Sequence, residues 1–207
     1  MAARSAAGGR AAAEGPSPPC TQKPSAALPN FAFTYPYSRP SAILYSPQSE
    51  AVPSLHVILV EPEIHWNTGN IGRTTLAAGA DLHLVEPLGF SLEDRYLQRA
   101  GLDYWPRVRL RVWPSWDAIE KKLPELGEPF FFTSQAQRTY WDVKYPDDVA
   151  LVFGRESVGL PKALLARYAE RSVRIPMVEP TLRSVNLSTT AGLAMFEVVR
   201  QRTCAPR

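Results

Sequence analysis

Short apolar runs alternate with helical stretches from Leu55 to Arg202, and this alternation restricts the fold more than any other feature of the chain. Leu55–Val60 reads Leu-His-Val-Ile-Leu-Val, an apolar run of strand length. Similar runs occur at Leu82–Val85, Val108–Val112, Phe130–Thr133, Val149–Phe153 and Val173–Ile175. Helices are expected between them. One runs from about Ile71 to Ala80. Another is capped by Ser91, continues through Arg99 and stops at Gly101. A third runs from a Ser115 cap to about Leu123. A fourth has Pro161 in its first turn and reaches about Ala169. The last spans Leu187 to Arg202. Strands that alternate with helices predict an α/β fold, a mostly parallel sheet with helices on both faces. No internal repeat is visible.

Proline separates this region from what precedes it. Nine of the 20 prolines fall in residues 1–53, a stretch with only six charged residues. Each proline removes a backbone donor and resists both helix and sheet. Residues 1–53 are therefore expected to form a mostly disordered tail, and residues 54–207 one folded domain. The first 20 residues hold Arg and Ala with one acid, Glu14, and lack the apolar core of a secretory signal. They leave open an organelle transit peptide, a solvated tail or an extended translation start on a cytoplasmic protein. No run of 18 apolar residues occurs, so no membrane-spanning helix is expected.

Several kinds of chemistry lack their residues. There is no G-x-G-x-x-G and no Walker P-loop. There is no G-x-S-x-G elbow. His56, His65 and His83 stand singly, the first and last within strand runs as packing residues, and no cluster has metal-ligand spacing. Cys20 and Cys204 lie at opposite ends, which disfavours a disulfide framework, a zinc site and a cysteine nucleophile.

Polar, glycine-containing loops follow three of the expected strands. Open α/β sheets bind ligands at such carboxyl ends. The first loop, Glu61–Arg73, holds Asn67, Thr68 and Asn70 as potential helix caps, with Gly69 and Gly72 for close backbone approach. Arg73 falls in the first turns of the following helix, where anions are already favoured. A capping loop with a solvated arginine is the plainer alternative. The second loop, Phe153–Pro161, places Gly154 directly off a buried strand and carries one carboxylate, Glu156. An ordinary strand-to-helix turn would look the same. The third, Arg174–Ser188, is long for a compact domain, and its Ser184 and Asn186 are either caps or ligands.

Together these loops resemble the three motifs of the SpoU-type branch of the SPOUT methyltransferases. Asn67-Thr-Gly-Asn-Ile-Gly-Arg73 resembles motif one, and Phe153-Gly-Arg-Glu-Ser-Val-Gly-Leu-Pro161 motif two. Ile175-Pro-Met with Ser184-Val-Asn-Leu-Ser188 resembles motif three. Glu86-Pro-Leu-Gly-Phe and Arg99-Ala-Gly-Leu-Asp-Tyr-Trp105 are similar to the minimal TrmL-type enzymes that methylate the tRNA wobble ribose. Nearly all of residues 55–202 take part. The chain departs from the pattern at Gln135-Ala-Gln137, where relatives often have Lys-Gly, at Phe196, where some have tyrosine, and at Gly72, where a bulkier residue is usual.

The resemblance implies a C-terminal trefoil knot, S-adenosylmethionine bent into the knot loops, and homodimers whose active sites are completed by both chains. It implies cofactor contacts at Phe132, Gly154, Ile175 and Ser184, and active-site roles for Arg73, Glu156 and Asn186. The substrate would be tRNA, bound at its anticodon stem-loop, with no metal and no membrane involved. A guanidinium is a permanent cation, so Arg73 suits gripping phosphate and stabilising charge on the 2′-oxygen better than removing a proton. Leu187, Ala191, Ala194, Met195 and Val198 form a helical stripe read as a dimer face, with packing on the chain's own sheet as the alternative. Two other readings remain: a 2′-O-methyltransferase of another tRNA site or of rRNA, and an RNA-binding relative without catalysis.

Overall fold

The computed structural model describes residues 53–92, 104–179 and 181–204, all within one unit of the chain, Ser49–Arg207. Its six strands are β1 (Leu55–Val60), β2 (Asp81–Val85), β3 (Leu110–Trp113), β4 (Glu128–Phe132), β5 (Val149–Phe153) and β6 (Ser172–Val173). They form one sheet in the order β3-β2-β1-β5-β4-β6, and every pairing is parallel. The helices are α1 (His65–Ala78), α2 (Trp116–Glu120), α3 (Leu123–Leu126), α4 (Lys162–Arg167) and α5 (Leu187–Cys204). The expected tail lies almost wholly outside the described residues, as does most of the helix expected after Ser91.

Alternate side chains of the central strands enter two separate cores. Leu55, Val57 and Leu59 of β1 and Val149, Leu151 and Phe153 of β5 share one core with Ala191, Ala194, Met195 and Val198 of α5. Ile58, Val60, Ala150 and Val152 share the other with Ile119, Leu123 and Leu164. Burial on both faces is why β1 and β5 read as apolar runs broken only by His56. The structure therefore has helices over both faces of a parallel sheet, as the alternation predicts.

Order along the sheet decides where a ligand can sit. β1 and β5 are neighbours, and the chain leaves β1 toward β2 but leaves β5 toward β6 on the opposite side, which opens a crevice at their carboxyl ends. β6 lies at the far edge, yet the next helix, α5, packs on α1 and β5. The chain from Arg174 to Asn186 makes that return.

Candidate active site

Motif one is helical, which corrects the expected loop. α1 begins at His65, six residues before the expected Ile71, so Asn67, Thr68, Gly69 and Gly72 lie inside it and are buried. Ile64 is the N-cap, with no side-chain cap bond; the three capping candidates cap nothing. Asn and Gly are poor helix formers, and propensity alone argued for a loop. Tertiary contacts override it. The Tyr104 hydroxyl donates to the Gly69 carbonyl at 2.9 Å. A Cβ on Gly72 would stand 2.5 Å from the Trp105 ring. The departure at Gly72 thus has a steric partner, Trp105, at the end of the Gly-Leu-Asp-Tyr-Trp stretch.

A chain of hydrogen bonds joins the three motifs. Asn186 Nδ2 donates to Asn67 Oδ1 at 3.0 Å. Asn67 Nδ2 donates to Glu156 Oε1 at 3.0 Å. The Glu63 backbone N–H donates to Glu156 Oε2 at 2.8 Å. Glu63 in turn accepts from the Ser157 backbone N–H at 2.9 Å and from its hydroxyl at 2.8 Å. Arg155 pairs with Glu61, and Arg183 donates to the Ser157 carbonyl. The segment after β1 therefore clamps motif two, and motif three closes over both. Asn186 has a double role: its Oδ1 also accepts from the Ser188 backbone N–H at 2.8 Å, at the start of α5. Cap and site residue are the same side chain.

A cavity of about 440 Å³ opens beside this network. Phe132, Gly154, Ile175 and Ser184, the expected cofactor contacts, all line it, as do Glu156 and Asn186. Phe132 and Phe153 stack with ring centroids 4.6 Å apart and give it an apolar wall. Ile175 lies beyond the end of β6 at Val173, on the return segment rather than in the strand. Lys162, Arg155 and Arg183 supply cations to the lining.

Gly154 also has a role in the loop itself. A Cβ there would stand 2.2 Å from the Gly159 carbonyl carbon and 2.3 Å from the Leu160 nitrogen, so glycine is needed for the loop to fold on itself. That fold is the Arg155–Gly159 bridge, with Gly159 at φ 74°. Arg73 is not brought together with Glu156 and Asn186: it is absent from the cavity lining, exposed, with its guanidinium 4.5 Å from the Tyr104 ring centroid.

The α5 stripe also needs correction. Ala191, Ala194 and Met195 are 0% exposed and Val198 1%, all in the chain's own core. The apolar residues left outward are Leu193 and Phe196 on α5 and Trp66 on α1, at 41%, 49% and 54%. Glu63, Ser157 and Arg183 were not singled out from the sequence, although each stands within one of the three loops.

His56 and His83 are buried, as expected of strand residues, but they are hydrogen-bonded rather than merely packed. Trp113 Nε1 donates to His83 Nδ1 at 3.0 Å, and an indole can only donate. His83 therefore carries its proton on Nε2, 3.0 Å from His56 Nδ1. Burial, then the neighbouring His56, pushes the His83 pKa down to about 4. Burial also lowers that of His56. Among the described residues no group of three or more His, Cys, Asp or Glu could hold a metal ion, and no helix is long and apolar enough to cross a membrane.

Residues 54–196 match the profile of the SpoU rRNA Methylase family. A tRNA (cytidine(34)-2'-O)-methyltransferase of Burkholderia pseudomallei is 45% identical over 148 residues, covering 70% of this chain and 94% of the relative. A solved structure described under 2-OH methylation of C/U34 on tRNA is 43% identical, with a TM-score of 0.68 over 72% of this chain and 97% of its own. An AdoMet-bound rRNA methyltransferase from Sinorhizobium meliloti is 25% identical, with a TM-score of 0.62 over 74% of this chain and 57% of its own.

Proposed function

The chain belongs to the SpoU rRNA Methylase family, and we propose that it is an S-adenosylmethionine-dependent tRNA methyltransferase acting on the ribose 2′-hydroxyl of the anticodon wobble pyrimidine. The observation that carries this reading is the Asn186–Asn67–Glu156 chain, which assembles three distant motifs at the rim of one cavity. The names of the relatives supply the substrate.

The cavity suits the cofactor. Its volume falls in the ordinary range for small-molecule sites. Phe132, Phe153, Ile175 and Met177 would offer apolar surface to an adenine, Ser184 and Thr133 would offer hydroxyls to a ribose, and Glu156 would offer negative charge to a sulfonium. Bound there, S-adenosylmethionine supplies a methyl group already activated by the positive sulfur. The chain's residues supply placement. The apolar wall excludes water. Glu156, with an oxygen held by Asn67 and the other by Glu63, fixes motif two against motif one. Asn186 fixes the return segment at the same point. Alignment of this kind is worth large rate factors, and an error of about 1 Å costs about a hundredfold.

Arg73 enters through a homodimer. It lies outside the cavity of its own chain, so in this reading it reaches the partner's cavity, grips RNA phosphate and stabilises negative charge on the 2′-oxygen. The outward Trp66, Leu193 and Phe196 give the α1–α5 layer an apolar surface for that pairing. Two chains also double a thin charge footprint: residues 54–207 hold 19 basic and 18 acidic residues. Threading of the return segment as a trefoil knot is part of the same reading, supported by the passage from edge strand β6 back to α5 on β5. A cytoplasmic or organellar site both accord with it. Deleting the gene and measuring tRNA nucleosides by mass spectrometry tests the function: a 2′-O-methylpyrimidine should disappear, and an unchanged tRNA profile would reject it.

A further inference from the structure

The connection between β4 and β5 starts at the cavity and ends on an exposed indole. Thr133, Ser134 and Gln135 line the cavity. Six residues after Gln135, Trp141 is 53% exposed. That separation spans at most about 20 Å, the reach of a few nucleotides.

The segment carrying Trp141 is held firmly from behind. The Arg174 backbone N–H donates to the Arg138 carbonyl at 2.9 Å, and the Tyr140 N–H to the Arg174 carbonyl at 3.0 Å, extending the sheet beyond β6. Tyr140 and Tyr145 are buried, and the Tyr145 hydroxyl donates to the Tyr140 carbonyl at 2.9 Å. Gln201 of α5 donates to the Val143 carbonyl at 2.8 Å and accepts from the Tyr145 N–H at 3.0 Å. With its backbone so fixed, the turn presents Trp141 outward at little further ordering cost.

Charge points to the kind of partner. The Arg138 guanidinium donates across the turn to the Asp142 carbonyl at 3.4 Å, so the turn that carries the indole also carries a cation. Lys144 is exposed three residues beyond Trp141. Among the described residues neither cation is ion-paired. The exposed Asp142 is the one carboxylate within the turn, and only its main-chain oxygen engages Arg138. An exposed indole on a braced turn that also carries cations without ion pairs suits stacking of an unpaired base and binding of its phosphate.

We infer that Trp141, with Arg138, forms a docking platform for an unpaired nucleotide of the substrate RNA, beyond the ribose that is methylated. The inference rests on the proposed tRNA substrate and adds a contact to it. Neither residue touches the cavity, so the platform acts on RNA binding and not on the methyl transfer step.

The test uses the full chain, a tRNA transcript and its isolated anticodon stem-loop. Trp141→Ala should raise the tRNA Kd and KM by about fivefold or more, the effect of losing one stacked base. The kcat at saturating tRNA and the calorimetric Kd for S-adenosylmethionine should stay at wild type. Trp141→Phe should restore most of the RNA affinity. Arg138→Ala should weaken binding and flatten its salt dependence. Wild-type chain should lose more indole fluorescence on adding RNA than Trp141→Phe does. Wild-type Kd and KM in Trp141→Ala would overturn the platform while leaving the methyltransferase reading intact. A change in sedimentation of Trp141→Ala would overturn it in favour of a contact between protein copies. Absence of any tRNA binding by the wild-type chain would reject the tRNA reading and the platform with it.

Discussion

Two polar chains cross this molecule, with hydrogen bonds of about the same length and opposite fates. Asn186–Asn67–Glu156 lies at the carboxyl ends of the strands and borders the cavity. Trp113–His83–His56 crosses β3, β2 and β1 within the sheet, with His83 at 0% and His56 at 9% exposure. The first keeps Asn186 exposed and Glu156 partly so. The second is buried at its two imidazoles, with Asp81 and Arg111 near enough to act on both, and orders its tautomers from the half-buried indole inward. The same bond chemistry yields a chain that stays open along a cavity, and a structural device whose imidazoles are sealed. Access, rather than polarity, separates them.

The largest expected effect breaks the sealed chain with acid. The folded state holds His83 neutral down to about pH 4, whereas the unfolded chain takes up a proton near 6.5. Between those values the unfolded state binds more protons, so stability is full above about pH 6.5 and declines as the pH falls toward 4. The loss should approach about 3 kcal/mol. Urea titrations across this range should show it. His83→Asn should be less stable at pH 7 but flatter with pH, only partly so because His56 titrates in the same direction. Equal slopes in both proteins would assign the acid response elsewhere.

The open chain should respond in rate instead. Glu156→Ala frees Asn67 Nδ2 and the Glu63 N–H together, and turnover should fall about a hundredfold, about 2.7 kcal/mol of barrier. Its melting temperature should move less than that of His83→Asn. A large melting shift with turnover intact would reverse the assignment of the two chains. Arg73→Lys keeps the charge but loses the planar fork. Turnover should drop about tenfold, about 1.4 kcal/mol, with S-adenosylmethionine affinity unchanged by calorimetry. If Arg73 serves a partner's cavity, mixing Arg73→Ala with Glu156→Ala should recover part of the activity in heterodimers; no recovery would return Arg73 to its own chain. Removing residues 1–53 should have the smallest effect, with cofactor affinity and turnover within about twofold of the full chain, since Ser54 onward already supplies the bonds to Asp148.

What could be read in advance follows the same division. β1 and β5 were legible to the residue because both their faces are buried, which leaves apolar runs broken only by His56. The start of α1 was not, because the groups that permit Gly69 and Gly72 in a helix, Tyr104 and Trp105, come more than thirty residues later. Glu156 and Asn186 were legible as polar residues in motif loops. Their alignment through Asn67 was not, since a capping asparagine and a bridging asparagine look alike in sequence. Ser157 and Glu63 are 94 residues apart, and nothing local pairs them. Arg73 shows a further limit: helical position was foreseeable, but the direction it faces relative to the cavity depends on where α1 is laid across the sheet.

The most direct test incubates the purified full chain with S-adenosylmethionine carrying a labelled methyl group and unmodified tRNA, then maps the product by nuclease digestion and mass spectrometry. One labelled methyl group on the ribose of the pyrimidine at position 34, lost in Glu156→Ala, is the predicted result. Label on a base, on a different nucleotide, or on no tRNA at all would contradict it.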